Sequence, residues 1–189
     1  MFAIPLQVAA VMRDFKPNWF VAGGWAIDLF LGKVTRPHQD IEIAIFRKDQ
    51  TALHDYFDGW LLRKIASGEP VVWHRDEWLT LPVHEIHCCN ETAQLPMIEI
   101  LLNESNETEW LYRRNLKVGR PLVKIELESN AGIKFLCPEI VLLYKSKNPK
   151  AKDEQDFQAA VAHLYAEQKE WLKGAIALTD SQHRWLQSL

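Results

Sequence analysis

The sequence predicts an α+β protein, on three observations. From residue 4 to about 137, short apolar runs bounded by Gly, Pro or Asn interleave with segments of helical spacing. The run Met97-Ile98-Glu99-Ile100-Leu101-Leu102 is nearly continuous in apolar residues, as in a strand covered on both faces. Beyond Pro138 the pattern is helical almost to the end of the chain. Residues 1–137 therefore read as a mixed core and 138–189 as a helical region packed on it. The boundary is soft, because no flexible spacer marks it.

The elements follow in order. Ile4, Val8, Val11 and Phe15 recur at helical spacing, with Pro5 near the start, so 4–15 is expected to be a helix, ended by Pro17-Asn18. Trp19 to Ala22 is a short apolar strand. Gly23-Gly24 then turns sharply into a two-turn helix, Trp25 to Leu31, closed by Gly32. A second strand spans 40–46, a helix 49–58 and a strand 60–65, with a loop at 67–70. Residues 71–95 are weakly patterned, with His84 to Cys89 the strand candidate. Short strands are expected at 122–127 and 133–136. Pro138-Glu139 opens a helix to about Lys147, with proline in its first turn and acid near the positive end of its dipole. Lys147 to Lys150 is a break. Phe157, Ala160, Val161 and Leu164 form the apolar stripe of a helix over 152–164, and another helix spans 167–178.

Composition bounds the function. The chain has 189 residues, 48% hydrophobic, with a formal net charge of −3. That suits one compact unit. It argues against a dominant grip on nucleic acid, which needs a basic excess on one face. Three cysteines without a CxxC spacing read as reduced thiols of a cytoplasmic protein, and zinc is not expected. No signal peptide and no apolar run of membrane-spanning length is seen. Most of the eight tryptophans are expected to fill the core.

Residues 23–42 carry the chemistry. The glycine pair lets the backbone approach a phosphate closely, and the following helix offers free N–H groups. Asp40 and Glu42 alternate with Ile41 and Ile43, so both carboxylates leave the same face of a strand, their Cα atoms about 6.5–7 Å apart. Arms at that spacing can converge on Mg²⁺, which prefers hard oxygen donors. On the pair alone, the plainer reading is the solvated face of an amphipathic strand. Glu99 shifts the balance: a carboxylate among apolar neighbours costs several kcal/mol unless paired or metal-bound. As third acid it could hold the metal or take a proton from an attacking hydroxyl.

Arg36 and His38 precede the carboxylates. Arg36 suits forked phosphate contact, or a salt bridge to Asp28. Asp28 reads as structural, and His38 as a residue that orients a carboxylate or caps a loop. Arg113, Arg114, Lys145 and Lys147 are candidates for neutralising a triphosphate. Lys145 leads them, since it lies on an otherwise apolar helical segment. The acids of Lys152-Asp153-Glu154-Gln155-Asp156 read as helix-start residues.

Gly23-Gly24-Trp25-Ala26-x-Asp28, followed by Thr35-Arg36-x-His38-x-Asp40-x-Glu42, resembles the aminoglycoside and lincosamide nucleotidyltransferases of the DNA polymerase β-type superfamily. The stretches 110–115, 137–147 and 152–157 resemble the same family. The resemblance implies a small mixed sheet with flanking helices as the nucleotidyltransferase core, then a helical C-terminal part. It implies antibiotic-resistance-type transfer of a nucleoside monophosphate from an Mg²⁺-bound NTP to a hydroxyl of a small acceptor, releasing pyrophosphate. Gly23, Gly24, Arg36 and Lys145 would bind the nucleotide, and Asp40, Glu42 and Glu99 the metal. The family usually has Asp where this chain has Glu42, and often an acid where it has Gln39. A nucleotide-binding module without turnover is the alternative that Glu42 keeps open.

Overall fold

The computed structural model describes residues 2–189 and is built on one mixed sheet of ten strands. Helix α1 (Ala3–Val11) leads to β1 (Trp19–Val21), α2 (Gly23–Leu31) and β2 (Glu42–Phe46). A 3₁₀ turn (Arg47–Asp49) and α3 (Ala52–Tyr56) precede β3 (Leu61–Ala66), β4 (Glu69–Val72), β5 (Glu85–Cys89) and β6 (Met97–Ser105). Then come β7 (Glu109–Leu111), β8 (Gly119–Pro121), a 3₁₀ turn (Leu122–Lys124), β9 (Glu126–Glu128) and β10 (Lys134–Leu136). The chain closes with α4 (Pro138–Ser146), α5 (Ala151–Val161), α6 (Ala166–Ala177) and a 3₁₀ turn (Arg184–Gln187).

The strand order is β4-β3-β5-β6-β2-β1-β10-β9, with β7 branching from β6 and pairing β8. β2 runs parallel to β6 and β1 parallel to β10; the other pairs are antiparallel. Ile43, Ile45, Ile86, Cys88, Ile98, Ile100 and Leu102 are buried in the core. Helix α2 packs against α4 and α5, and α4 against α6, so the C-terminal helices sit directly on the core.

The expected elements need local corrections. Helix α1 stops at Val11, and the 49–58 helix is a 3₁₀ turn plus one short helix. The expected strand at 122–127 is a 3₁₀ turn followed by β9. The 67–70 loop shrinks to a two-residue hairpin turn at Ser67-Gly68, both at positive φ (53° and 86°), as a type I′ turn requires. Glu69 and Pro70 then belong to β4. Proline is tolerated there because β4 is an edge strand with no neighbour on one side. Of the eight tryptophans, Trp25, Trp73, Trp110 and Trp185 are buried and Trp78 is half exposed.

Candidate functional site

The register of the sheet assembles the acids. Glu42 on β2 is the direct partner of Glu99 on β6, and Glu99 is the direct partner of His87 on β5. Paired residues share a face, so Glu42, Glu99 and His87 form a row across three strands. Their neighbours Ile41, Ile43, Ile98 and Ile100 are buried on the opposite face. That alternation is the reason a charged row survives inside an apolar pattern. Asp40 lies two residues ahead of β2, just outside the strand that was expected to begin with it.

The glycine pair is required by side chains as well as by the turn. Gly23 has φ +58°, and a methyl group built on it would overlap Glu42 Oε2. A methyl on Gly24 would overlap Arg36 Nη2 and the His38 ring. Ala22 N–H donates to Glu42 C=O at 2.8 Å, which ties the turn to β2.

The loop before Asp40 is fixed by a set of polar contacts. Asp28, fully buried, accepts from Thr35 N–H (3.0 Å) and Thr35 Oγ1 (2.5 Å) and contacts His38 Nε2 at 2.5 Å. His38 stacks on Trp25 at 4.3 Å between ring centroids, and Trp25 Nε1 donates to Asp40 C=O at 3.0 Å. Asp28 thus holds Thr35 and His38; the salt bridge to Arg36 does not form. Arg36 instead forks onto the fully buried Asp156, with both contacts at 2.8 Å. Lys145 pairs with Asp153 and Asp156, each at 3.0 Å. The two cations expected to meet phosphate are therefore both anchored by acids of α5. Of the acids read as helix-start residues, Asp153 accepts from Lys150 N–H (2.9 Å) and does cap α5, whereas Asp156 is the buried anchor.

These groups border a cleft of about 410 Å³. Gly23, Gly24, Asp40, Glu42 and Glu85 line it together with Arg113, Arg114, Tyr144, Lys145 and Lys147. Among the described residues, the arginines paired with carboxylates are Arg36, Arg47, Arg75, Arg120 and Arg184. Arg113 and Arg114 have no such partner and lie over Tyr144 at 5.3 and 5.4 Å from its ring centroid. Burial lowers the Arg113 pKa. Sequence reasoning ranked this pair behind Lys145, because a solvated face and a cleft wall look alike in a polar stretch.

Electrostatics separate the acids. Burial, then repulsion from Asp40, Glu42 and Glu85, pushes the Glu99 carboxyl up to about 7. Burial also raises Glu42, against the pull of Lys145. At Lys145, burial opposes the charge, but Asp156 and Asp153 outweigh it and hold the ammonium above its ordinary range. Burial raises the Cys88 and Cys137 thiols, which leaves them unreactive.

The donor type suits a hard divalent cation. Asp40, Glu42 and Glu99 offer oxygens, and the raised Glu99 marks negative charge that a dication would relieve. One correction concerns grouping. Among the described residues, the donors within 4.8 Å of one another are those of Glu85, His87 and Glu99; Asp40 and Glu42 lie outside that set. His87 Nε2 is 2.8 Å from Glu85 and 3.9 Å from Glu99. Glu99 is thus shared between two groups of acids, and its neighbours on β5 escaped sequence reasoning because His84 to Cys89 looked like an ordinary strand.

A sequence model of the aminoglycoside-2''-adenylyltransferase family matches residues 5–118, more than half of the chain. No curated protein sequence matches it. Among solved structures, ANT(2'')-Ia in complex with adenylyl-2''-tobramycin is similar at 14% identity and a TM-score of 0.60, over 92% of this chain and 95% of that one. A solution structure of ANT(2'')-Ia is similar at 17% identity and a TM-score of 0.59, over 96% and 92%. Lincomycin-bound LnuA, a lincosamide antibiotic adenylyltransferase, is similar at 16% identity and a TM-score of 0.56, over 82% and 92%. At these identities the likeness is one of fold. The matched segment contains the glycine turn, Asp40, Glu42 and the strand bearing Glu99, and on that match the chain belongs to the aminoglycoside-2''-adenylyltransferase family.

Proposed function

We propose that the protein transfers a nucleoside monophosphate from an Mg²⁺-bound nucleoside triphosphate to a hydroxyl of a small molecule. The observation that supports this reading is the direct register pairing of Glu42 with Glu99 across β2 and β6, with Glu42 lining the cleft beside the Gly23 turn. Asp40, Glu42 and Glu99 would hold the metal. When bound, Mg²⁺ supplies charge neutralisation for the reacting phosphates.

The chain's own groups do the rest. Gly23 and Gly24 leave room for backbone close to the phosphates. Arg113, Arg114 and Lys147, without a carboxylate partner among the described residues, neutralise the departing pyrophosphate, and Lys145 adds to them from its anchored position. Glu99 accepts the proton of the acceptor hydroxyl as its oxygen bonds to the α-phosphorus and the bond to the β-phosphate oxygen breaks. Arg36 acts through Asp156, holding the loop that presents Asp40.

Two measurements test the proposal. Mg-ATP should raise the melting temperature of the wild type and fail to raise that of Asp40→Asn, since ligand binding stabilises by mass action. Mass spectrometry should then find a nucleotidylated acceptor. A melting shift that survives Asp40→Asn refutes the metal assignment; a shift without any adduct makes the protein a nucleotide-binding module, the alternative raised by Glu42.

A further inference from the structure

Arg113 and Arg114 are neighbours in the chain, and among the described residues no carboxylate pairs with either. They are the two central residues of a turn between β7 and β8, closed by Asn115 N–H donating to Tyr112 C=O at 2.9 Å. Two adjacent guanidiniums repel one another. Burial works against the Arg113 charge, and Arg114 adds to that. Some other group must keep both of them at the cleft wall.

Tyr144, on α4, is placed to do so. Its ring centroid lies 5.3 Å from the Arg113 guanidinium carbon and 5.4 Å from that of Arg114. Arg114 Nη1 also donates to Tyr144 C=O at 2.8 Å. The ring is itself held by edge contacts, at 5.9 Å to Trp110 and 5.0 Å to Tyr112 between centroids. Trp110 is fully buried, so this support is rigid. Arg36 and Lys145 are held differently. Asp156 and Asp153 anchor them and cancel part of their charge in doing so. An aromatic face attracts a cation through its quadrupole but carries no net charge. A guanidinium held that way keeps its whole charge for an incoming anion.

We infer that Tyr144 is a positioning residue for the two outer phosphates of the triphosphate, acting through Arg113 and Arg114. The inference rests on the nucleotidyl-transfer reading and deepens it. Tyr144 touches no reacting atom; it keeps two like charges side by side until a polyanion arrives to neutralise them.

The test compares Mg-ATP with AMP, which lacks the two outer phosphates, and adds inorganic pyrophosphate as a third probe. Calorimetry gives the ratio of ATP to AMP affinity. Tyr144→Met fills the space without an aromatic face. It should lower that ratio about tenfold, weaken pyrophosphate similarly and leave AMP unchanged, because two long side chains must then be ordered by the ligand itself. Tyr144→Phe keeps the face and should hold the ratio within about twofold of the wild type. The double variant Arg113→Ala/Arg114→Ala should lose the ratio too, and adding Tyr144→Met to it should cost nothing more. Tyr144→Leu serves where Tyr144→Met does not fold. A ratio unmoved by loss of the ring, an equal loss for AMP, an equal loss in Tyr144→Phe, a double arginine variant with the wild-type ratio, or a further loss on that background overturns the inference. Binding that follows the expected pattern without any nucleotidylated product supports the role of Tyr144 and removes turnover alone. A wild type that binds neither Mg-ATP nor pyrophosphate removes the nucleotidyl-transfer reading, and the role of Tyr144 with it.

Discussion

Replacing Glu99 by Gln isolates the electrostatic cost of the site. In the metal-free protein the Glu99 carboxyl lies near 7, against an ordinary value of 4.5. The folded state therefore keeps a proton that the unfolded chain has lost, and stability falls as pH rises through that window. Each tenfold change in proton affinity is worth about 1.4 kcal/mol, so the full penalty, present above pH 7, is about 3 kcal/mol. The carboxyl is partly open, so solvent screening trims the full figure to this size. Gln keeps the shape and cannot ionise. In EDTA at pH 8, Glu99→Gln should melt about 6–12 °C above the wild type, at about 2–4 °C per kcal/mol for a chain of this size. At pH 4.5 the two should nearly coincide. Saturating Mg-ATP at pH 8 should close the gap by stabilising the wild type more. Thermal melts at the two pH values decide the matter: an equal increment at both means that Glu99 is not burdened by its neighbours, and the account of the acids fails.

Other substitutions probe the supports. Asp156→Ala strands Arg36, leaves Lys145 on Asp153 alone, and should cost about 3–5 kcal/mol in urea unfolding, whereas a loss below about 1 kcal/mol would mean the three-way contact is incidental. Gly23→Ala should displace Glu42 and abolish the Mg-ATP melting shift even where the variant remains folded by circular dichroism; an intact shift contradicts the crowding seen there. Lys145→Ala should raise the KM for ATP about tenfold or more while leaving the acceptor KM little changed, and equal effects on both would remove Lys145 from the nucleotide side.

Periodicity and end signals made most of the fold legible. Pro138 marked the start of α4, Gly32 the end of α2, and the apolar run at 97–102 the central strand. The edge was harder. Exposed β4, with Pro70 inside it, lacks the alternation that burial imposes. At the candidate site, Glu99 stood out because an acid among apolar neighbours is costly enough to need a reason, whereas Asp40 and Glu42 alone read equally as a solvated strand face. The fate of Arg36 could not. Its partner Asp156 lies on α5, far along the chain, and only tertiary packing decides between Asp28, Asp156 and a phosphate. His87 escaped for a related reason. It matters through cross-strand register, which a single strand read by itself does not contain.

The parallel match of β2 to β6 has a consequence for how the protein fails. A slip by one residue would turn Glu99 toward the interior and bring Ile98 and Ile100 out into water, so a misaligned sheet loses its oil and its chemistry together. On the proposed function, any molecule that turns over must have closed the whole β3-to-β6 excursion correctly. Output from a damaged or heated sample would then count intact molecules rather than report an average of partly working ones.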